Sequence, residues 1–562
     1  MKRMDWRPAS LIRWLFDAKH RASDRLLARW LFLRGLGLIY FSAFFPLLFQ
    51  IRGLIGPQGI LPAGKYLESV ARSAGTARFW YAPTLLWFSS SSHMLMALCW
   101  MGLIASLLVV ANVWPRAMLL ICFLCFLSFV SAASDFSGYQ SDGMLLEAGF
   151  ISLFLAPPGL RPGLGREHPP IRFAMFLLLW EWFRIYFESG VVKLASGDPE
   201  WRNFTAMDEY YQNGPLPTWI GWYVQHLPHW FHGATAFGTL VLELGLAWMG
   251  FLPRRWRIIC FFIVTPWQIG IILTANYTFL NYLVLLLGIF LLDDRFLVQF
   301  VRRRRRERVL SRTGAAVAGE RWNAFEAPSL LEGDAVRERA EEPGSAKQRV
   351  LPFIARQLGF VRLALTAVML SWLFYASTAL LILMLWREAP LPMSPVVALE
   401  PLRIADRYGL FAVMTRGRYE IEFQGSNDGQ DWLTYPFRFK PQDPHKAPGI
   451  YAPYQPRFEW NLWFASLGVW RSNVFVPRTE ERLLAGSADV LALFAANPFG
   501  QGPPRKVRAV LWQYWFSTPE EGRTQGIWWT RKWLGLYAPT LEREGDGRIV
   551  AVEWPSEAEP RE

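Results

Sequence analysis

The feature that most constrains this chain is a series of apolar stretches of about twenty residues, the length at which a helix crosses the hydrocarbon core of a bilayer. They cover residues 30–51, 94–113, 117–133, 172–194, 236–252, 258–275, 279–292 and 358–386, and a shorter, weaker one covers 144–156. In lipid every backbone N–H and C=O must be satisfied within the chain, so these stretches are expected to be helices. About nine spans result. Of the 562 residues 52% are hydrophobic, and their clustering points to a polytopic α-helical membrane protein rather than a string of soluble domains.

The basic residues give a topology. Cytoplasmic loops collect Arg and Lys. Here Lys2, Arg3, Arg7, Arg13, Lys19, Arg21 and Arg25, then Arg116, Arg161 with Arg166, the Arg254-Arg255-Trp256-Arg257 turn and the run from Arg302 to Arg306 all fall on one side. Nine spans then put the N-terminus in the cytoplasm and everything after Trp386 on the opposite side. The formal net charge is +13, but the arginine run flanks a span and reads as a topology signal, so no nucleic-acid partner is expected. Residues 1–29 form a basic amphipathic segment with no signal-peptide cleavage pattern. Residues 30–300 are the membrane domain with about eight spans, 301–356 a charged cytoplasmic linker, 357–387 the last transmembrane helix, and 555–562 a disordered tail.

Residues 388–554 change texture. Tyr419-Glu-Ile-Glu-Phe-Gln424 alternates, Ser426-Asn-Asp-Gly429 supplies residues that tolerate the positive φ of tight hairpin turns, and residues 432–440 return. With the runs at 507–516, 535–537 and 549–554, this gives a β-rich extracytoplasmic domain, expected as a β-sandwich with a helical insertion near residues 479–496. All four cysteines, Cys99, Cys122, Cys125 and Cys260, lie in apolar runs, so the outer domain has no disulfide framework. That poverty points to a bacterial inner membrane with the outer domain in the periplasm; the endoplasmic reticulum is the eukaryotic equivalent. Cys122-Phe-Leu-Cys125 has redox spacing without the βαβ context and reads as packing.

Ionisable residues inside the spans are the functional candidates. An isolated charge near a bilayer centre costs at least about 2.5–3.5 kcal/mol on insertion scales, so such residues face partners or a wet cavity. Glu181, Arg184 and Glu188 are three and four apart and share one helix face, where they can pair. Asp142 and Glu147 could face the same polar interior. A packing network and a substrate or lipid site are both open readings of this group. Lys193 ends its run, where it either snorkels to the headgroups or, if desolvated, serves as a base. Trp201, Asn203, Asp208 and Tyr211 mark the aromatic loop outside the same span. His226, His229 and His232 recur every three residues, but Pro228 interrupts the helix and no Cys or carboxylate completes a zinc set, so no metal or cofactor is expected. No Gly-Xaa-Ser-Xaa-Gly elbow marks a lipase, and no phosphate loop or dinucleotide fingerprint stands in its required context.

Three stretches together carry a resemblance: Tyr139-Gln-Ser-Asp-Gly-Met-Leu-Leu-Glu-Ala-Gly-Phe150; the segment from Trp180 to Tyr211 with Pro215-Leu-Pro-Thr-Trp219; and Pro456-Arg-Phe-Glu-Trp-Asn-Leu-Trp-Phe-Ala465. The chain resembles the lipase maturation factor family over nearly its whole length, from Gly56-Pro-Gln-Gly-Ile-Leu-Pro62 onward. That resemblance implies a multi-span protein that helps secreted proteins such as lipases mature, with membrane lipids and exported clients as its partners and no chemistry of its own. Trp460, Trp463 and Phe464 are then client-binding candidates, provided their rings are exposed; core packing is the other reading. Lys193 followed by Trp201 also looks like the pattern in the membrane domain of vitamin K-dependent carboxylase, which implies an alternative intramembrane enzyme using Lys193 as base on a lipid-like or quinone-like substrate.

Overall fold

The computed structural model describes residues 15–16, 22–300 and 346–556. Most of the N-terminal basic segment, residues 301–345 of the charged linker and residues 557–562 of the tail lie outside the described residues. The membrane half contains helices α1 (Leu26–Ile55), α2 (Ser92–Val110), α3 (Pro115–Val130), α4 (Gln140–Leu155), α5 (Arg172–Ala195), α6 (His229–Leu244), α7 (Arg254–Thr274), α8 (Leu280–Leu287) and α9 (Ala346–Leu385). Among the described residues, five helical segments are long and apolar enough to cross a membrane: Ser23–Ile55, Ser92–Val110, His229–Phe251, Arg254–Thr274 and Gly359–Leu385. The stretches Pro115–Val130 and Leu280–Leu291 are apolar but shorter.

The two remaining helices, α4 and α5, carry Asp142, Glu147, Glu181, Arg184, Glu188 and Lys193. Their position explains it: α5 packs against α4, α6, α8 and α9 at once, which removes most of its surface from lipid. Close approach is built into α4, where a side chain at Gly149 would run into the Tyr40 hydroxyl of α1 and one at Gly143 into the Asp406 carboxylate.

Beyond α9 the chain forms one six-stranded sheet of β1 (Arg418–Ser426), β2 (Leu433–Thr434), β3 (Lys506–Phe516), β4 (Trp529–Leu536), β5 (Thr540–Arg543) and β6 (Ile549–Glu553). The order is β2-β1-β3-β5-β6, with β4 also on β3, and every pairing is antiparallel. The hairpin at Ser426–Gly429 is present: Asp428 accepts from the backbone N–H groups of Gln430 and Asp431, and Gly429 has φ 82°. The expected helical insertion is there as α11 (Phe475–Leu484) and the short helix Ala488–Leu491, while the stretch of the third motif forms α10 (Arg457–Ser466).

A second packed sheet is not found among the described residues; α10 packs on β1 and α11 on β3 in its place. The alternation of β1 also does not produce a solvated face. Arg418, Glu420, Glu422 and Gln424 are as buried as Ile421 and Phe423. Ile421 and Phe423 join the core around Phe437, Phe458 and Phe494. Arg418, at the start of the polar face, bonds the carbonyls of Gln212, Gly214 and Pro215 from the membrane half. Buried polar groups must be partnered: the membrane half partners Arg418, while Glu420 pairs with Arg418 and Lys440, Glu422 with Gln442 and Thr434, and Gln424 with Arg508 inside the C-terminal half.

Candidate functional site

The charged residues of α4 and α5 form three neighbouring clusters, each completed from the C-terminal half. In the first, Arg184 pairs with Glu147 of α4, donates from Nη1 to the Asp406 carbonyl at 2.8 Å, and lies 3.8 Å from Glu188 one turn away. Tyr408 ties this cluster shut. Its hydroxyl donates to Glu147 at 2.5 Å, its backbone N–H donates to Glu188 at 2.6 Å, and Arg184 stacks 5.0 Å from its ring. Arg184 therefore pairs mainly with Glu147 across the helix interface. Glu181 is fully buried and neither of its carboxylate oxygens has a hydrogen-bond partner. The Asp406 carboxyl, outside the spans, is pushed up to about 6 by burial, opposed by Arg403.

In the second cluster, Asp142 faces away from Glu147 and takes a bidentate pair from Arg457 of α10 at 2.7 and 2.8 Å. Arg457 also donates to the Phe136 carbonyl at 2.8 Å and lies over the rings of Phe129 and Tyr139. The Tyr139 hydroxyl donates to Asn461 at 2.6 Å, and Asn461 donates to the Asp135 carbonyl at 2.8 Å. The first and third motifs are thus the two faces of one joint.

In the third cluster, Lys193 is only 1% exposed. Its ammonium bonds both oxygens of Glu243 of α6 at 2.8 Å and the Leu410 carbonyl at 3.0 Å, below the Trp201 ring at 5.0 Å. It does not snorkel, because a carboxylate and a carbonyl already take its protons inside the fold. A base needs a free lone pair, and an ammonium held in this way presents none; the geometry gives the enzyme reading no support.

The remaining loop residues divide. Trp201 is buried, and its indole N–H donates to the Phe411 carbonyl at 2.9 Å. Tyr211 is buried against Tyr210 and His232. Asp208 accepts from or pairs with His229 at 2.9 Å, and Asn203 is exposed at the end of a short helix. The three histidines face different partners: His226 the Trp222 carbonyl at 2.7 Å, His229 Asp208, and His232 the Tyr211 ring. Of the aromatic client-binding candidates, Trp460 and Trp463 are buried and belong to the packing of α10; Phe464 alone is exposed, at 48%.

Each cluster is held by the strap of residues 403–418 or by α10. Along the strap Asp198 also accepts from the Met414 N–H at 2.6 Å and Asn213 donates to the Thr415 carbonyl at 2.7 Å. Several partners escaped the sequence reading. Glu243 had a legible signal, as the only charged residue in the 236–252 run; Arg457 stood within a quoted motif; Asp406, Tyr408 and Arg418 carried none, since only the fold brings them to the membrane half.

The same two halves are recognised separately by family models. That of the lipase maturation factor transmembrane domain matches residues 27–299, and that of the lipase maturation factor C-terminal domain matches residues 404–539. The chain is 32% identical over 557 residues to lipase maturation factor 1 of Bos taurus, covering 96% of this chain and 93% of the relative. The chain belongs to the lipase maturation factor family. To lipase maturation factor 2 of Homo sapiens it is 30% identical over 595 residues, covering 92% of this chain and 82% of the relative. Lipase maturation factor 1 of Homo sapiens is 30% identical, with 92% and 88% covered. No solved structure matches. The residues 404–539 recognised as a C-terminal domain begin within the strap, so the family boundary coincides with the element that closes the first and third clusters.

Proposed function

We propose that this protein assists the folding, assembly or maturation of exported proteins, lipases among them, as a non-catalytic membrane scaffold. The observation that carries the reading is the match to proteins named lipase maturation factors over nearly the entire chain. In this reading α1 to α9 are nine spans, the N-terminus is cytoplasmic, and residues 388–554 face the compartment where exported proteins fold. That compartment is the periplasm if the membrane is a bacterial inner membrane. The buried ion pairs fix the outer domain on the bundle, and the exposed surface around Phe464 is where a client would be met.

The test is co-expression with a secreted lipase, scoring active lipase exported with and without this chain, together with affinity purification of the intact protein. The expected result is a rise in active lipase and recovery of an exported protein on the column. An unchanged yield with no exported protein recovered would remove the main support for the reading.

A further inference from the structure

Beside the Lys193–Glu243 pair lies a cavity of about 510 Å³ between α5, α6, α7 and α8, to which client maturation assigns no role. We propose that it binds a lipid with a single hydrocarbon chain and an uncharged, hydroxyl-bearing head, entering from the bilayer between α6 and α7. The volume is in the range of about 300–1,000 Å³ typical of small-ligand sites. Its walls are mostly apolar, with a few polar groups gathered at particular points, as such sites require.

The opening follows from helix packing. α6 packs on α5 and α7 on α8, while α7 also meets Leu246–Phe251, the continuation of α6, and Trp267 lies against Gly238; these contacts close one end of the space between the two consecutive helices and leave the other, toward Gly270 and Thr274, as the entrance. Ile263 and Gly270 line the cavity from α7 and are themselves exposed on the apolar outer surface. A side-chain carbon added at Gly270 would meet no atom within 4 Å. The lining on α7 runs from Ile263 to Thr274, about 16 Å of helix, so the space is long in the direction of the spans and suits an extended chain. Halfway along, polar groups are already satisfied among themselves: Asn281 donates to Gln268 at 2.7 Å and Gln268 to the Tyr186 hydroxyl at 2.8 Å.

The head chemistry follows from the charge balance. The Lys193 ammonium is engaged by Glu243 and the Leu410 carbonyl, so among the described residues that line the cavity no free cation remains for a carboxylate or phosphate, and an unpaired charge buried here would be strongly disfavoured. Each Glu243 oxygen accepts one bond from Lys193, whereas a carboxylate has about four acceptor sites. A hydroxyl donor is the group that this leaves room for. Leu410 and Phe411 of the strap close the outer end. Phe411 holds φ 57°, which is uncommon for a bulky residue, and its ring rests on Tyr277 at 5.0 Å and Tyr210 at 5.8 Å.

The proposal is tested with the full-length protein in detergent and radiolabelled 1-monooleoylglycerol, with oleate and dioleoylphosphatidylcholine as parallel probes. Saturable binding of monooleoylglycerol is expected, at least about tenfold tighter than either parallel probe, equivalent to about 1.4 kcal/mol. Gly270→Phe, which fills the cavity, should weaken binding by about tenfold or more with an unchanged melting temperature. Should Gly270→Phe fail to fold, Ile263→Trp, built on an already exposed position, carries the same expectation. No saturable binding, equal binding of oleate or the phospholipid, or wild-type binding by the folded cavity-filling variant each overturns the proposal. Because the readout is lipid bound per protein, its failure leaves the lipase co-expression result untouched.

Discussion

The Asp142–Arg457 joint is the sharpest place to test whether the two halves are held by buried charge. Both side chains are fully buried, at 0% and 1% exposure, and the guanidinium donates three charge-assisted bonds, two to Asp142 and one to the Phe136 carbonyl. Removing one partner of such a pair leaves an uncompensated charge, which costs about 3–5 kcal/mol, whereas replacing both by apolar groups is often close to neutral. Asp142→Ala and Arg457→Met are each expected to lose that much, a factor of roughly 150 to 5,000 in the folded population. The double variant should lose less than the sum by about 2 kcal/mol or more. The assay is denaturant unfolding of the full-length protein in detergent, followed by tryptophan fluorescence. Single variants that lose less than about 1 kcal/mol, or a double variant whose loss is the simple sum, would refute the reasoning and show the joint to be ornamental.

The pair of Lys193 and Glu243 behaves by the same logic: Lys193→Met should destabilise by about 3 kcal/mol and Lys193→Met with Glu243→Leu should recover most of it, read as melting temperature; an undisturbed single variant would mean that the pair is not dehydrated. Glu480 in α11 is fully buried, and burial pushes its carboxyl well above the ordinary range. Its folded pKa exceeds the unfolded value of about 4.3, so the folded state binds more protons and stability falls as pH rises through that window, by up to about 1.4 kcal/mol per pH unit from this group. Glu480→Gln should therefore raise the melting temperature increasingly between pH 5 and pH 8, and a difference from wild type that stays flat with pH refutes the assignment. Phe464→Asp changes a half-exposed ring that rests on Tyr139 and Trp463 and should lower recovery of a co-expressed lipase by roughly tenfold at constant melting temperature, the loss expected for an interface anchor worth more than about 1 kcal/mol; unchanged recovery removes Phe464 from the client surface.

The bundle was legible because lipid leaves a chain few options. Runs of the right length become helices whatever their detailed sequence, and each predicted span has a helix in the structure at nearly its predicted place, including 144–156, although five pass by length and composition alone. The sheet was legible only in part. Strand residues at Tyr419 to Gln424 and Val507 to Phe516 stood out by alternation, but alternation says which residues share a face and not what covers it; the polar face of β1 is buried, Arg418 meeting the membrane half and Glu420, Glu422 and Gln424 meeting polar groups of their own domain, and the helices took the position assigned to a second sheet. In the site, spacing put Glu181, Arg184 and Glu188 on one face where they could pair; Arg184 lies 3.8 Å from Glu188 while Glu181 has no hydrogen-bond partner, and spacing could not show that Arg184 would turn to Glu147 on α4 or that Asp142 would turn to α10. Partners hundreds of residues away leave no local trace.

The placement of those partners bears on why charged residues persist in α4 and α5 at all. A network closed within the bundle could be replaced by apolar packing with little loss. Here Glu147, Glu188, Asp142 and Lys193 each reach a group on the strap or on α10. Apolar residues could fill the same volume but would not specify where the strap lies, since hydrophobic contact is not directional. The hydrogen bonds do specify it: Tyr408 is fixed through both its hydroxyl and its backbone N–H, Leu410 through its carbonyl and Met414 through its N–H. The charges of α4 and α5 therefore act as a register for the C-terminal half, and the client-presenting scaffold proposed above would depend on that register.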